Sequence, residues 1–206
     1  MIPRFITLEG GEGAGKSTQC RILSDRLVQA GLSVLRTREP GGSAGAEAIR
    51  GLLLSRSGWD PLAEMTLHFA ARREHWARSI QPCLEAGSWV VCDRFFDSTL
   101  AYQVGGQGAP RPCWAALREA TLGDITPDLT LLLDLPVAAG LARAARRGET
   151  NRYELLGADF HQRVRDSFLA QAAQEPARFA IIDAAAPEEA VSAAILHICQ
   201  KRFGSP

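Results

Sequence analysis

The stretch Gly10-Gly11-Glu12-Gly13-Ala14-Gly15-Lys16-Ser17-Thr18 fits the phosphate-binding pattern G-x-x-x-x-G-K-[ST] at Gly10, Gly15, Lys16 and Ser17. Upstream, Phe5-Ile6-Thr7-Leu8 is short, apolar and β-prone, as a buried strand is. Downstream, Ile22, Leu23, Leu27 and Val28 recur at helical spacing until Gly31 ends the run. Strand, glycine loop and helix in this order let backbone N–H groups at a helix N-terminus surround phosphate oxygens. Lys16 adds a cation for the β- and γ-phosphates, and the Ser17 hydroxyl suits Mg²⁺. A glycine-rich turn that binds nothing needs neither the lysine nor the serine nor the flanking elements. The nine residues from Gly10 to Thr18 are therefore the expected contact for a nucleoside triphosphate.

Outward from this loop, 206 residues suit a single α/β domain spanning the chain, with a sizeable core and room for a small lid. Lys plus Arg and Asp plus Glu number 23 each, so no global charge attracts nucleic acid or an anionic membrane. No apolar run approaches the roughly 18 residues of a membrane helix. Met1-Ile2-Pro3-Arg4 leads straight into the first strand, so no secretory signal is expected. Cys20, Cys83, Cys92, Cys113 and Cys199 are odd in number, scattered and without a C-x-x-C pair. They read as thiols of a reducing cytoplasm rather than a disulfide framework or a zinc site.

Further apolar runs at 33–35, 89–92, 129–133 and 179–182 do not alternate, which favours a parallel sheet covered on both faces. Helical patterns fall at 44–54, 61–80, 112–121, 137–147, 160–173 and 187–201. Asp60-Pro61 supplies an N-cap and a proline at the first helical position. Strands alternating with helices mean βαβ crossovers, with ligands gathered at the carboxyl ends of the strands. The expected architecture is a P-loop NTPase three-layer sandwich, a five-stranded parallel sheet between helices with a short arginine-bearing lid.

A phosphate loop alone does not name a reaction. Asp93-Arg94-Phe95 follows the third strand, where an acid can organise Mg²⁺ beside Ser17 and an arginine fork can share oxygens of two phosphate groups. Arg143, Arg146, Arg147 and Arg152 surround Gly148 between two helices, which reads as a lid over about 143–156. Its closure would bring positive charge onto a transferring phosphoryl group and exclude water. Two more motifs stand out: Thr37-Arg38-Glu39-Pro40-Gly41-Gly42 after the second strand, and Ser98-Thr99-Leu100-Ala101-Tyr102-Gln103.

With Asp93-Arg94 and Arg147-Gly148-Glu149, these motifs make the chain resemble the bacterial thymidylate kinases over essentially its whole length. T-R-E-P-G-G together with A-Y-Q is specific; the phosphate loop by itself is not. The resemblance implies transfer of the ATP γ-phosphoryl to dTMP, giving dTDP for dTTP synthesis, with Mg²⁺ as cofactor and a homodimer packed through helices. Lys16, Arg94, Arg147 and Arg152 would neutralise the transferring group. Ser17, Asp93 and Glu9 would serve the metal. Glu12 in the phosphate loop would need an arginine or Mg²⁺ to bridge it to phosphate. Arg50 and Arg94 would grip the dTMP phosphate, with Arg38, Glu39 and Pro40 shaping the acceptor pocket. Ser98, Thr99, Tyr102 and Gln103 would line the nucleoside site, Thr99 and Gln103 near the pyrimidine and Tyr102 against a ribose 2′-OH.

The family's base-recognition pair is an aromatic with an arginine four residues later on one helix face. Counting back from Pro82 gives Arg72 as the base contact, with Phe69 lining the pocket and His68 offering a stacking face. The alternative pairs Phe69 with Arg73. In the lid, Asn151 stands where the family commonly has Asp, and Ala145 where some members carry Arg. His75, His161 and His197 fall on amphipathic helices and read as packing or surface residues. A nucleotide switch is disfavoured: the only asparagine is Asn151, so no N-K-x-D motif exists, and no D-x-x-G occurs. Zero net charge also argues against a DNA-translocating ATPase.

Overall fold

Residues 2–146 and 152–204 are described by a computed structural model. Five strands, β1 (Phe5–Glu9), β2 (Val34–Arg38), β3 (Trp89–Asp93), β4 (Leu129–Asp134) and β5 (Phe179–Asp183), form one all-parallel sheet in the order β2-β3-β1-β4-β5. Chain order reverses around β1, whose neighbours are β3 and β4. That is the topological switch where a crevice opens at the carboxyl edge. The register sets Leu8 beside Asp93 and Arg38 beside Asp93, so the ends of β1, β2 and β3 meet there.

Both sheet faces are covered, because successive strand residues enter opposite cores. Ile6, Leu8, Val91, Leu131 and Leu133 pack against Leu23 and Leu27 of α1 (Lys16–Gln29) and Ile195 of α9 (Glu188–Phe203). Phe5, Val90 and Cys92 point the other way, onto Met65 and Phe69 of α3 (Pro61–His75). A third cluster joins Leu132 and Tyr102 to Phe160, Val164 and Phe168 of α8 (Ala158–Gln174). The expected three-layer parallel sandwich is thus the fold observed. No described helix is long and apolar enough to cross a membrane.

The phosphate loop leaves β1 and turns into α1 through Gly15, whose φ of 88° lies in the left-handed region that glycine adopts without strain. Gly13 meets α7 (Val137–Ala145) so closely that a Cβ on it would stand 2.1 Å from the Gly140 carbonyl oxygen. Neither glycine can carry a side chain without moving the loop.

The remaining helices sit where the patterns put them, as α2 (Ala44–Ser55), α6 (Arg111–Leu122), α7, α8 and α9. Two segments differ. The helix expected over 61–80 keeps its α form only to His75; a π-helical turn (Trp76–Ile80) follows, then α4 (Gln81–Glu85). Pro82 lacks an N–H and its ring crowds a tight preceding turn, so the wider turn lets the chain continue. Residues 96–106, for which the periodicity gives no element, form α5 (Phe96–Thr99) and a second π-helical stretch (Leu100–Gly106). Their apolar and polar residues answer to the cleft as well as the core, which blurs any one period. Asp97 anchors this segment with two charge-assisted bonds from Arg178, at 2.7 and 2.8 Å.

Candidate active site

A cleft at the carboxyl edge of β1–β3 encloses about 660 Å³ of empty space, its open mouth included. Its walls are Glu12 from the phosphate loop, Glu39, Pro40, Arg50 and Leu54 from the second crossover, and His68 and Arg72 from α3. Arg94, Ser98, Thr99, Tyr102 and Gln103 follow β3, and Tyr153 closes the last side. Most of the residues expected around the substrate therefore meet in one place, though they come from five separate stretches of chain.

Arg94 is the hub. Its backbone has φ 74°, a left-handed conformation rare outside glycine, and its N–H donates to the Leu8 carbonyl at 3.0 Å. Nη1 donates to the Gly10 carbonyl and to Ser98 Oγ, each at 3.1 Å. Nη2 donates to Glu12 Oε1 and to the Tyr102 hydroxyl, each at 3.0 Å. Tyr102 in turn donates to Glu12 Oε1 at 2.8 Å. Arg94 is thus the arginine that pairs with the phosphate-loop acid. Burial holds the Tyr102 phenol well above its usual range, so it stays a neutral donor.

On the phosphate-loop side, Lys16 Nζ donates to the Gly11 carbonyl at 2.7 Å. Burial, with Arg94 second, lowers the Lys16 amine to about 8. Ser17 Oγ donates to Asp93 Oδ2 at 2.5 Å, so hydroxyl and acid stand together at the loop. Glu9, expected near the metal, is engaged with the turn after β3. Its Oε1 accepts the Phe95 N–H at 2.7 Å and its Oε2 the Ser98 hydroxyl at 2.5 Å. Burial, then Asp97, pushes this carboxyl up to about 8. Fully buried between strand ends, it ties β1 to the turn that aims Arg94.

On α3, His68 and Arg72 face the cleft and Arg73 does not. Arg72 is buried, donating from Nε to Glu39 Oε2 at 2.6 Å and from Nη2 to the Phe95 carbonyl at 3.1 Å. Its Nη1 is buried without a partner among the described residues, a donor available to a ligand in the cleft. Arg73 turns to the outer side, where Nη1 reaches the Thr121 carbonyl at 3.3 Å. Phe69 does not line the cleft as expected. It is fully buried in the core, its ring under the Arg72 guanidinium at 5.0 Å and edge-on to Trp114. A position one residue along a helix faces about 100° away, so the cleft face passes through His68 and Arg72. Burial, then Arg72, Arg152 and Arg94, lowers His68 to about 3, leaving a neutral ring that can stack.

Three further expectations change. Arg38 does not line the cleft; Nη2 grips both oxygens of Glu47 at 3.1 Å, and Glu47 accepts the Gly42 N–H at 2.9 Å. It shapes the Thr37–Gly42 loop from outside. Arg143 is not part of a lid, for it donates to the Ala184 carbonyl at 2.8 Å and so pins the turn after β5. Arg152 is held by Glu64, 2.8 Å from Oε2, in an ion pair without hydrogen-bond alignment. Arg147, Gly148, Glu149 and Asn151 lie outside the described residues.

Sequence reasoning missed Glu64, His75, Leu54 and Tyr153. His75 is no passive packing residue: Nδ1 lies 3.0 Å from Glu39 Oε1 and Nε2 2.8 Å from Thr37 Oγ1. It thereby orients the carboxylate that orients Arg72. The signal was present, since Glu64, His68, Arg72 and His75 recur at spacings of four, four and three, a buried polar stripe beside the core residues Met65, Phe69 and Ala71.

One arginine shared between a phosphate loop and a second cleft, on a sheet of this topology, defines a P-loop kinase of a small phosphorylated acceptor. The family model described as thymidylate kinase matches residues 8–195. The thymidylate kinase of Caulobacter vibrioides is 53% identical over 97% of each chain, and that of Chromohalobacter salexigens 52% identical over 98% of this chain and 97% of the other. The crystal structure of thymidylate kinase from Ehrlichia chaffeensis superposes with a TM-score of 0.78 at 33% identity, covering 96% of this chain and 99% of the other. The chain belongs to the thymidylate kinase family.

Proposed function

We propose that this chain transfers the γ-phosphoryl group of ATP directly to dTMP, giving dTDP for dTTP synthesis. The observation that carries the reading is Arg94, each of whose two terminal nitrogens joins a phosphate-loop residue, Gly10 or Glu12, to a cleft residue after β3, Ser98 or Tyr102. Both reactants are anionic, so the barrier lies in bringing them together and neutralising charge. Gly10, Gly11, Glu12, Gly13, Ala14, Gly15, Lys16, Ser17 and Thr18 receive ATP. Arg50 and Arg94 take the dTMP phosphate, Arg72 a base carbonyl and His68 the base face. Tyr102 crowds the 2′ position of a ribose. Arg147 and Arg152 approach the phosphoryl group when the lid closes, which requires Arg152 to leave Glu64.

Ser17 and Asp93 fit Mg²⁺, which commonly takes one or two protein oxygens and completes its shell with water and phosphate. When bound with ATP, the ion supplies positive charge at the β- and γ-oxygens. A homodimer packed through helices belongs to the same reading, with α3 offering one face. Five free cysteines suit a reducing cytoplasm.

The test is ADP release with ATP and Mg²⁺ against dTMP, dUMP, UMP, dCMP, dGMP and AMP. A strong preference for dTMP with UMP nearly inert is expected; turnover on another monophosphate would discard the base assignment and keep the kinase.

Lys16 adds a pH signature. Its amine titrates near 8 before nucleotide arrives, and phosphate oxygens favour the charged form. ATP affinity is expected to fall as pH rises through about 8, with net proton uptake on binding. Calorimetry at pH about 8.5 in two buffers of different ionisation enthalpy reads this directly. Equal heats in both buffers would contradict it.

A further inference from the structure

Glu64 is where three parts of the molecule converge, yet it belongs to no motif and does not line the cleft. It is carried by α3 and is 1% exposed. Its Oε1 accepts from Gln103 Nε2 at 2.7 Å, Gln107 Nε2 at 3.0 Å and the Tyr153 hydroxyl at 2.7 Å. Its Oε2 pairs with Arg152 Nη2. The Gln103 amide makes one further donation, to the Tyr153 hydroxyl at 3.4 Å.

A primary amide is nearly isosteric end for end, so which end faces a ligand decides what hydrogen-bond pattern is read. A carboxylate paired with arginine offers acceptors only. Gln103 must therefore turn its NH₂ toward Glu64, because a flipped amide would set oxygen against oxygen in a buried place. Gln103 lines the cleft, and the end left for a ligand is its carbonyl oxygen. In the same cleft Arg72 Nη1 is a buried donor without a partner among the described residues. One donor beside one acceptor complements a thymine edge, with its N3–H and O4. It opposes a cytosine edge, with its N3 lone pair and N4 amino group.

We propose that Glu64 is a positioning residue for base selectivity, fixing the Gln103 amide with its oxygen toward the pyrimidine so that keto-pyrimidines are accepted and amino-pyrimidines refused. The inference rests on the dTMP reading above. Its mode of action is indirect: Glu64 itself touches neither base nor phosphate.

The experiment measures kcat/KM for dTMP and for dCMP with ATP in the wild type, Glu64→Gln, Gln103→Ala and the double variant. The amide introduced by Glu64→Gln would offer both an oxygen and an NH₂, so Gln103 could face either way. The dTMP-to-dCMP ratio is expected to fall by about tenfold or more in Glu64→Gln, with the KM for ATP held within about twofold. In the Gln103→Ala background the same substitution should leave the ratio unchanged, which a merely structural role would not do. An unchanged ratio in folded Glu64→Gln, or an equal fall with and without Gln103, overturns the proposal. Should Glu64→Gln fail to fold, Glu64→Asp carries the test. Being still acceptor-only, it must keep the selectivity even at reduced kcat/KM, and a collapsed ratio overturns the proposal. A wild-type chain that takes dCMP as readily as dTMP overturns the base reading itself, so the two failures are told apart.

Discussion

Lys16→Ala is expected to lower kcat by about two orders of magnitude or more, equivalent to about 2.7 kcal/mol of transition-state stabilisation. The lysine is 7% exposed, and its ammonium is tethered to a neutral acceptor, the Gly11 carbonyl. On the proposed function, this cation follows phosphate oxygens as charge builds on them. Its removal leaves the loop backbone donors in place, so ATP binding should suffer less than turnover. Steady-state ADP release with dTMP separates the two, and thermal melting checks that the fold survives. Unchanged turnover in a folded Lys16→Ala protein would sink the assignment of this loop to phosphoryl transfer.

Arg94→Ala should be costlier, with kcat/KM for dTMP falling by about three orders of magnitude. Two losses combine. The transferring charge loses its planar fork, and Glu12, only 10% exposed, loses the guanidinium paired with it, leaving its negative charge less compensated beside phosphates. The melting temperature should drop as well, since the Gly10 carbonyl, Ser98 and Tyr102 lose a shared donor. Arg94→Lys distinguishes charge from geometry. A point charge on a flexible stem cannot reach all four acceptors at once, so it should recover less than about tenfold of the lost kcat/KM. Full recovery by lysine would show that the fork has no role. The left-handed backbone at Arg94 strengthens the expectation, because strain held at a non-glycine residue persists only where surroundings dictate it.

The contrast between Arg72 and Arg73 shows how far a linear reading reaches. Both lie on α3, and spacing alone allowed either to face the cleft. Packing decides, because Phe69 and Met65 enter the core and thereby turn Arg72 and His68 toward the cleft. The same rotation removed Phe69 from the pocket. Arg38 and Glu39 are neighbours, yet strand alternation sends one outward to Glu47 and the other inward to Arg72 and His75. Arg143 and Arg152 look alike in a run of basic residues, but one caps the turn after β5 while the other answers Glu64. Charge patterns along the chain carry no information about which carbonyl or carboxylate will stand opposite.

What the sequence by itself determined is everything local: the phosphate loop between strand and helix, the parallel sheet implied by unbroken apolar runs, and the acid–arginine pair after β3. Each depends on a few consecutive residues whose backbone demands are strong, glycine at left-handed turns and β-branched or aliphatic residues on doubly buried strands. The tertiary structure alone decided the long-range pairings. Glu12 with Arg94, Glu39 with His75 and Arg72, and Glu64 with Gln103 and Tyr153 join residues at least 33 positions apart. Such contacts depend on helix rotation and on the two π-helical turns. Those rotations follow from how side chains fill the space between layers, a property no single stretch of sequence contains.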